Sequence, residues 1–157
     1  MKKILTVLII AGSVTIISCG GGDKNHDHSG HKKDEPKTAT DSLYSEVMAG
    51  HDEVMPKMGK IRGAQKEAQR LIDSIATLPA KAQAEAASLK TKLEELVKDL
   101  SYADFAMDKW MTEFNMDSAK DNMEQRLKYL AEEKLKVNKV KDAILNSLAK
   151  ADSLLKR

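Results

Sequence analysis

From Ser42 onward, apolar residues return every seven positions, with a companion set three or four residues away. Val47, Val54, Ile61, Ala68 and Ile75 form one row, and Tyr44, His51, Met58, Gln65 and Ile72 form the other. Two such rows on one helix face make an a/d seam. Leu78-Pro79 interrupts the pattern, because the residue before a proline is pushed out of the helical region. A second double row follows: Ala82, Leu89, Leu96, Ala103 and Trp110 beside Ala86, Leu93, Leu100, Met107 and Phe114. Asn115 and Asp117 mark the next break, and Ser118 with Asp121 three residues later has the spacing of a capping box. The third seam is Met123, Leu127, Leu130, Val137, Ile144, Leu148, Ala151 and Leu155, with Lys134 and Lys141 weakening one row. Glu94–Lys98 and Glu132–Lys136 stand at the favourable i, i+4 spacing. Lys150, Lys156 and Arg157 suit the negative end of a last helix.

The spacing predicts helices over 42–76, 79–115 and 118–155, each about 50 Å long at ~1.5 Å per residue. No stretch shows sustained period-two alternation, so strands are not expected. Short connections make neighbouring helices antiparallel. The expected fold class is therefore all-α: three long antiparallel helices in an up-down-up bundle or coiled coil, filling 41–157. The same seams would also permit a rearranged dimer.

The chain before Ser42 reads differently. Lys2 and Lys3 precede an uncharged apolar stretch from Ile4 to Ile17, and Ser18 puts a small residue directly before Cys19. This is the layout of an export signal over 1–18. The apolar stretch is shorter than the ~20 residues of a membrane-spanning helix. Ile16-Ile17-Ser18-Cys19 resembles the bacterial lipobox, which implies cleavage before Cys19 and joining of its thiol to diacylglycerol. Cys19 is also the sole cysteine, so it has no disulfide partner within the chain. Residues 20–40 carry no large apolar side chain, so nothing offsets the entropy of ordering them. We read 19–40 as the lipidated cysteine and a flexible tether spanning roughly 25 Å. Gly20 and Gly21 follow Cys19, with no Asp directly after it. By resemblance to lipoprotein-sorting patterns this favours the outer membrane.

Charge then narrows the partners. The chain has 26 basic and 24 acidic residues. Removing 1–18 takes away Lys2 and Lys3 and no acid, which leaves the mature chain balanced at 24 of each. The signs are interleaved, so the basic stripe that nucleic-acid binding needs is missing. Charged residues make up 32% and aromatics only 4%, a composition typical of long helices.

The chemical lead lies in the methionines. Met48, Met55, Met58, Met107, Met111, Met116 and Met123 all fall in one half of a bundle folded at residues 77 and 116, and none lies in 59–106. In that register Met48 is level with Met107, His51 with Asp104, and Met111 with Asn122. His51 shares a helical face with Met48, Met55 and Met58. Thioethers and imidazole suit Cu(I) and Ag(I), and thioethers cannot be lost to disulfides in an oxidising compartment. His51, Met48, Met55, Met58, Met107 and Met111 are therefore the candidate soft-metal residues, with copper as the candidate cofactor. The alternative is packing: methionine fills irregular gaps and makes favourable contacts with Trp110 and Phe114. His51 would then be a seam histidine satisfied by Asp104 or water and helping to set register. A Met-rich face is also a plausible groove for a helical partner. In the tether, His26, His28 and His31 lie within six residues and could chelate a divalent metal or copper.

Catalytic motifs do not emerge. The bundle region has one histidine and no cysteine, and the chain has neither a nucleophile elbow nor a glycine-rich phosphate loop. His51-Asp52-Glu53 is not followed by a second histidine at metalloprotease spacing. We expect a non-enzyme.

The segments MAGHDEVMPKMGKI (Met48 to Ile61), AMDKWMTEF (Ala106 to Phe114) and RLKYLAEEK (Arg126 to Lys134) are distinctive. With the lipobox, they resemble a group of small envelope lipoproteins of Gram-negative bacteria often labelled "viral A-type inclusion protein". The resemblance implies a lipid-anchored envelope protein with a helical domain and no established activity, and it brings no functional residues with it. The expected role is a membrane-anchored protein-interaction or structural domain, held to the membrane through the lipid on Cys19. The alternative is a copper-binding or copper-buffering lipoprotein.

Overall fold

In the computed structural model, residues 38–155 are described. Cys19, the export signal, His26, His28 and His31 of the tether, and Lys156 and Arg157 lie outside the described residues. Four α-helices build the fold: α1 (Ala39–Val54), α2 (Met58–Ala76), α3 (Ala80–Glu113) and α4 (Met123–Leu155). α1 and α2 form one bent arm, so the architecture is an all-α bundle of three long rods.

Each boundary has a local cause. Thr38 caps α1: its hydroxyl accepts the Asp41 N–H at 3.1 Å, and the Asp41 carboxylate accepts the Thr38 N–H at 3.0 Å. The first arm was expected to run unbroken over 42–76. Instead a 3₁₀ turn, Met55–Lys57, separates α1 from α2. Pro56 has no N–H to give to the preceding turn, and its ring crowds that turn's carbonyl. Lys57 Nζ covers the Glu53 carbonyl at 2.5 Å. The heptad rows hid this bend, because the rows continue through it.

Pro79 sits as the extended residue before α3, which begins at Ala80, and the Gln83 amide donates to the carbonyls of Ala76 and Leu78. α4 was expected from residue 118 with Ser118 as its cap, but it starts at Met123. Asn115 Oδ1 accepts the Asp117 N–H at 2.9 Å, and Ala119 takes a left-handed φ of 55°, which keeps this stretch out of the helix. Asn122 supplies the cap, accepting the Gln125 N–H at 3.0 Å.

Three sets of contacts fix the packing. α1 runs parallel to α4: Lys134 pairs with Glu46, and Lys141 reaches Glu53 at 3.4 Å. These are the two lysines that weaken the third seam; each lies at the α1–α4 boundary with a carboxylate partner. Between them, Gly50 lets the backbones approach, since a Cβ there would lie 3.1 Å from a Val137 methyl. α2 runs antiparallel to α3, with Gln65 donating to Ser101 Oγ at 2.9 Å and Arg62 meeting Asp104 at 2.9 Å. α3 runs antiparallel to α4, with Trp110 bonded to Glu133 and Lys150 paired with Asp99. The rods therefore run up, down and up.

The core follows the predicted rows. Val47, Val54, Ile61, Ala68 and Ile75 are buried, as are Leu93, Leu96, Leu100, Ala103 and Met107 of α3 and Leu130, Val137 and Ile144 of α4. The vertical register differs from the expected one. Asp104 meets Arg62 rather than His51, eleven residues along the arm. Trp110 meets Glu133, where the expected register would have placed Met123. The short predicted link between the second and third rods is in fact residues 114–122, and that extra length displaces α4. The expected surface pairs also change: Glu94 pairs with Lys90, and Lys136 pairs with Glu133.

Candidate functional site

The bend at Pro56 has a consequence for the space between α1 and α3. α1 rests closely on α4, while α2 rests on α3. Between α1 and α3 the gap is filled by long side chains rather than by close backbones. Aromatic rings form a ladder there: Tyr44 stacks on Phe114 at 6.5 Å, Phe114 on Trp110 at 4.9 Å, and Phe114 on Tyr129 of α4 at 6.2 Å. The His51 ring lies 5.7 Å from Trp110. Such offset arrangements are favourable beyond the area they bury.

Polar atoms anchor the ladder. Trp110 Nε1 donates to Glu133 Oε2 at 2.9 Å, and Lys136 Nζ donates to the other oxygen at 2.7 Å. Glu133 is almost wholly buried, so its charge depends on these two partners. The same hydrogen bond holds the Lys136 ammonium above the usual lysine range, against partial desolvation. The Tyr129 hydroxyl accepts the Asn115 N–H at 2.7 Å, and the Tyr44 hydroxyl donates to Met116 Sδ at 3.4 Å. Glu133 was missed by sequence reasoning, although a glutamate one turn from Leu130 and Val137 is a signal that could have found it. Among the described residues no buried side-chain nitrogen or oxygen lacks a partner.

The candidate soft-metal residues divide by burial. Met58 and Met107 are closed in the core. Met48 and His51 are half-buried, while Met55 and Met111 are exposed at the seam's edge. Met116 and Met123 stand further out, at the α3–α4 link and the start of α4. His51 does not meet Asp104; its Nδ1 lies 2.8 Å from Asp52 Oδ1. Among the described residues, no three His, Cys, Asp or Glu side chains come together as metal ligands.

Two large aromatics escape the ladder. Tyr102 and Phe105 lie three apart on α3, 61% and 62% exposed. That spacing puts them on neighbouring turns of one helix face.

No protein family, no characterised protein and no solved structure matches this chain.

Proposed function

We propose that this protein is a lipid-anchored envelope lipoprotein whose three-rod bundle binds another protein. The carrying observation is the pair Tyr102 and Phe105. Four of the chain's six aromatic residues pack into the ladder, and these two stand more than half exposed on one face of α3. Aromatic side chains are enriched where proteins meet, because they offer large contact area at low entropic cost. Among the described residues no helix is long and apolar enough to cross a membrane, and attachment in this reading comes from lipid on Cys19. The lipobox, the polar tether and the resemblance to Gram-negative envelope lipoproteins support that placement, at the outer membrane. Catalysis forms no part of the proposal.

The test is photocrosslinking in intact cells, with the reactive group placed at Phe105 and, as a control, at Lys81. A discrete adduct from position 105, absent from position 81 and lost when Tyr102 is changed to Ser, is the expected result. Monomer alone from both positions would refute the partner reading. Labelling with a fatty-acid analogue, lost in Cys19→Ser, tests the anchor separately.

A further inference from the structure

We infer that the seam between α1 and α3 binds one soft monovalent ion, Cu(I) or Ag(I), through His51 Nε2 and the thioethers of Met55 and Met111, with Met48 beside them. This goes beyond partner binding and uses a different face of α3 from Tyr102 and Phe105.

The geometry comes from three contacts along one edge of the bent arm. Tyr44, His51 and Arg62 lie on that edge and meet Phe114, Trp110 and Asp104 in turn. Met55 falls between His51 and Arg62 on the same edge. Its N–H still bonds to the His51 carbonyl, so it sits one turn below the imidazole. On α3, Asp104 and Asp108 both reach Arg62, at 2.9 and 3.7 Å, which shows that their edge faces the arm. Met111 continues that edge at i+7 from Asp104 and i+3 from Asp108. Its level is that of His51, because the neighbouring Trp110 is the ring His51 meets. Met48 lies one turn above His51. The imidazole and the thioethers therefore share one short stretch of seam, open to solvent at Met55 and Met111.

The chemistry of His51 agrees. An ionised carboxylate only accepts hydrogen bonds, so Asp52 Oδ1 at 2.8 Å fixes the proton on Nδ1. Nε2 is the ring nitrogen left to meet an ion. A carboxylate behind an imidazole in this way both sets the tautomer and strengthens the nitrogen as a ligand. Thioethers and a neutral imidazole prefer a soft monovalent ion to Zn²⁺ or Mg²⁺. The Trp110 ring lies beside the imidazole, where an indole face attracts a cation within ~6 Å.

The test uses the full chain in detergent, with Cys19, His26, His28 and His31 replaced so that no thiol or tether imidazole competes. Ag(I) and Cu(I) are titrated against a colorimetric competitor while Trp110 fluorescence is followed. Trp110 is the only tryptophan, so its emission reports on this seam alone. The expected result is saturation at one ion per chain with a matching change in emission, and no response to Zn²⁺. His51→Ala, Met55→Leu and Met111→Leu each weaken binding by tenfold or more, and Asp52→Asn by about tenfold. Met123→Leu, a thioether outside the seam, leaves binding unchanged. Leucine conserves methionine's volume, so those variants stay folded even if His51→Ala does not. No saturation, an unchanged tryptophan signal, or affinity indifferent to Met55→Leu and Met111→Leu would overturn the inference.

Discussion

Replacing Trp110 by Phe and Glu133 by Leu, singly and together, isolates the hydrogen bond that ties α3 to α4 inside the core. The indole N–H meets Glu133 Oε2 at 2.9 Å, in a residue pair almost closed to solvent. A hydrogen bond to a charged group contributes ~1.5–3 kcal/mol. Glu133→Leu orphans the indole N–H, at ~1–3 kcal/mol. It also removes a buried charge whose desolvation opposed folding, so a net loss of about 1–2 kcal/mol is expected. Trp110→Phe leaves the carboxylate with Lys136 alone and opens part of a large cavity, for a loss of about 2–3 kcal/mol. In the double variant neither group is stranded. Its loss should fall short of the sum of the singles by about 2 kcal/mol, roughly thirtyfold in the folding equilibrium. With a urea dependence of ~1–3 kcal/mol per M, that is a midpoint difference of about 1 M. Urea unfolding followed by far-UV circular dichroism is the assay, because the fluorophore is absent from two of the four proteins. Additivity within about 0.5 kcal/mol would refute the claim that this bond is made in the folded state.

Three further outcomes follow from particular contacts. Nothing lies within 4 Å of a Cβ built on Gly59 or Gly63, so alanine at either site should stabilise α2 by about 1 kcal/mol. Gly50→Ala should give no such gain, because its Cβ would press on Val137 at 3.1 Å; thermal unfolding of the three variants separates the cases. Asn122→Ala removes the cap of α4 and should cost about 1 kcal/mol in urea unfolding, with earlier amide exchange at Met123 to Gln125. Hydrogen bonds from Arg70 and Lys120 hold Glu67 and Asp117 below the usual carboxylate range. A depressed folded pKa gives stability that is present above the unfolded value and lost as pH falls through the folded one, so a shallow loss is expected below pH ~4. The Lys136 ammonium is raised by Glu133, so its contribution is present below the unfolded lysine value of ~10.4 and lost as pH rises beyond it. Glu67→Gln should flatten part of the acid limb of a pH–stability curve, and Glu133→Gln part of the alkaline limb.

The rods were legible because apolar rows at seven-residue spacing admit one reading, and nearly every residue in the rows from Val47 and Leu93 onward is buried. The breaks were less legible. Pro56 was visible in the sequence, yet the rows continue through it, and periodicity alone cannot tell a bent rod from a straight one. The start of α4 was misplaced because Ser118 and Asp121 have capping spacing, while the left-handed Ala119 lies between them. Of the methionine cluster, the sequence placed His51, Met55 and their neighbours on one face. It also placed Met58 and Met107 in the seam rows and Met55 and Met111 beside them, and the structure buries the first pair and leaves the second at the exposed edge.

Apolar rows alone leave the vertical register undetermined, since a slip of one heptad returns Leu, Ile or Val to similar positions. The polar seam residues remove that freedom. Sliding α4 by seven residues along α1 would bring Lys141 to Glu46, but would put Leu148 opposite Glu53 and Ile144, larger than Val137, against Gly50. The same slip would give the Trp110 N–H Val140 in place of Glu133. Gln65 with Ser101 and Arg62 with Asp104 constrain α2 on α3 in the same way. Register in this bundle is therefore held by a few polar contacts at rod boundaries. The level at which His51 meets Trp110, and Met111 shares its seam, depends on Glu133 and Lys134 on the far rod. Substitutions at Glu133 that leave the fold intact should therefore weaken the proposed ion site, although Glu133 lies outside its ligand set.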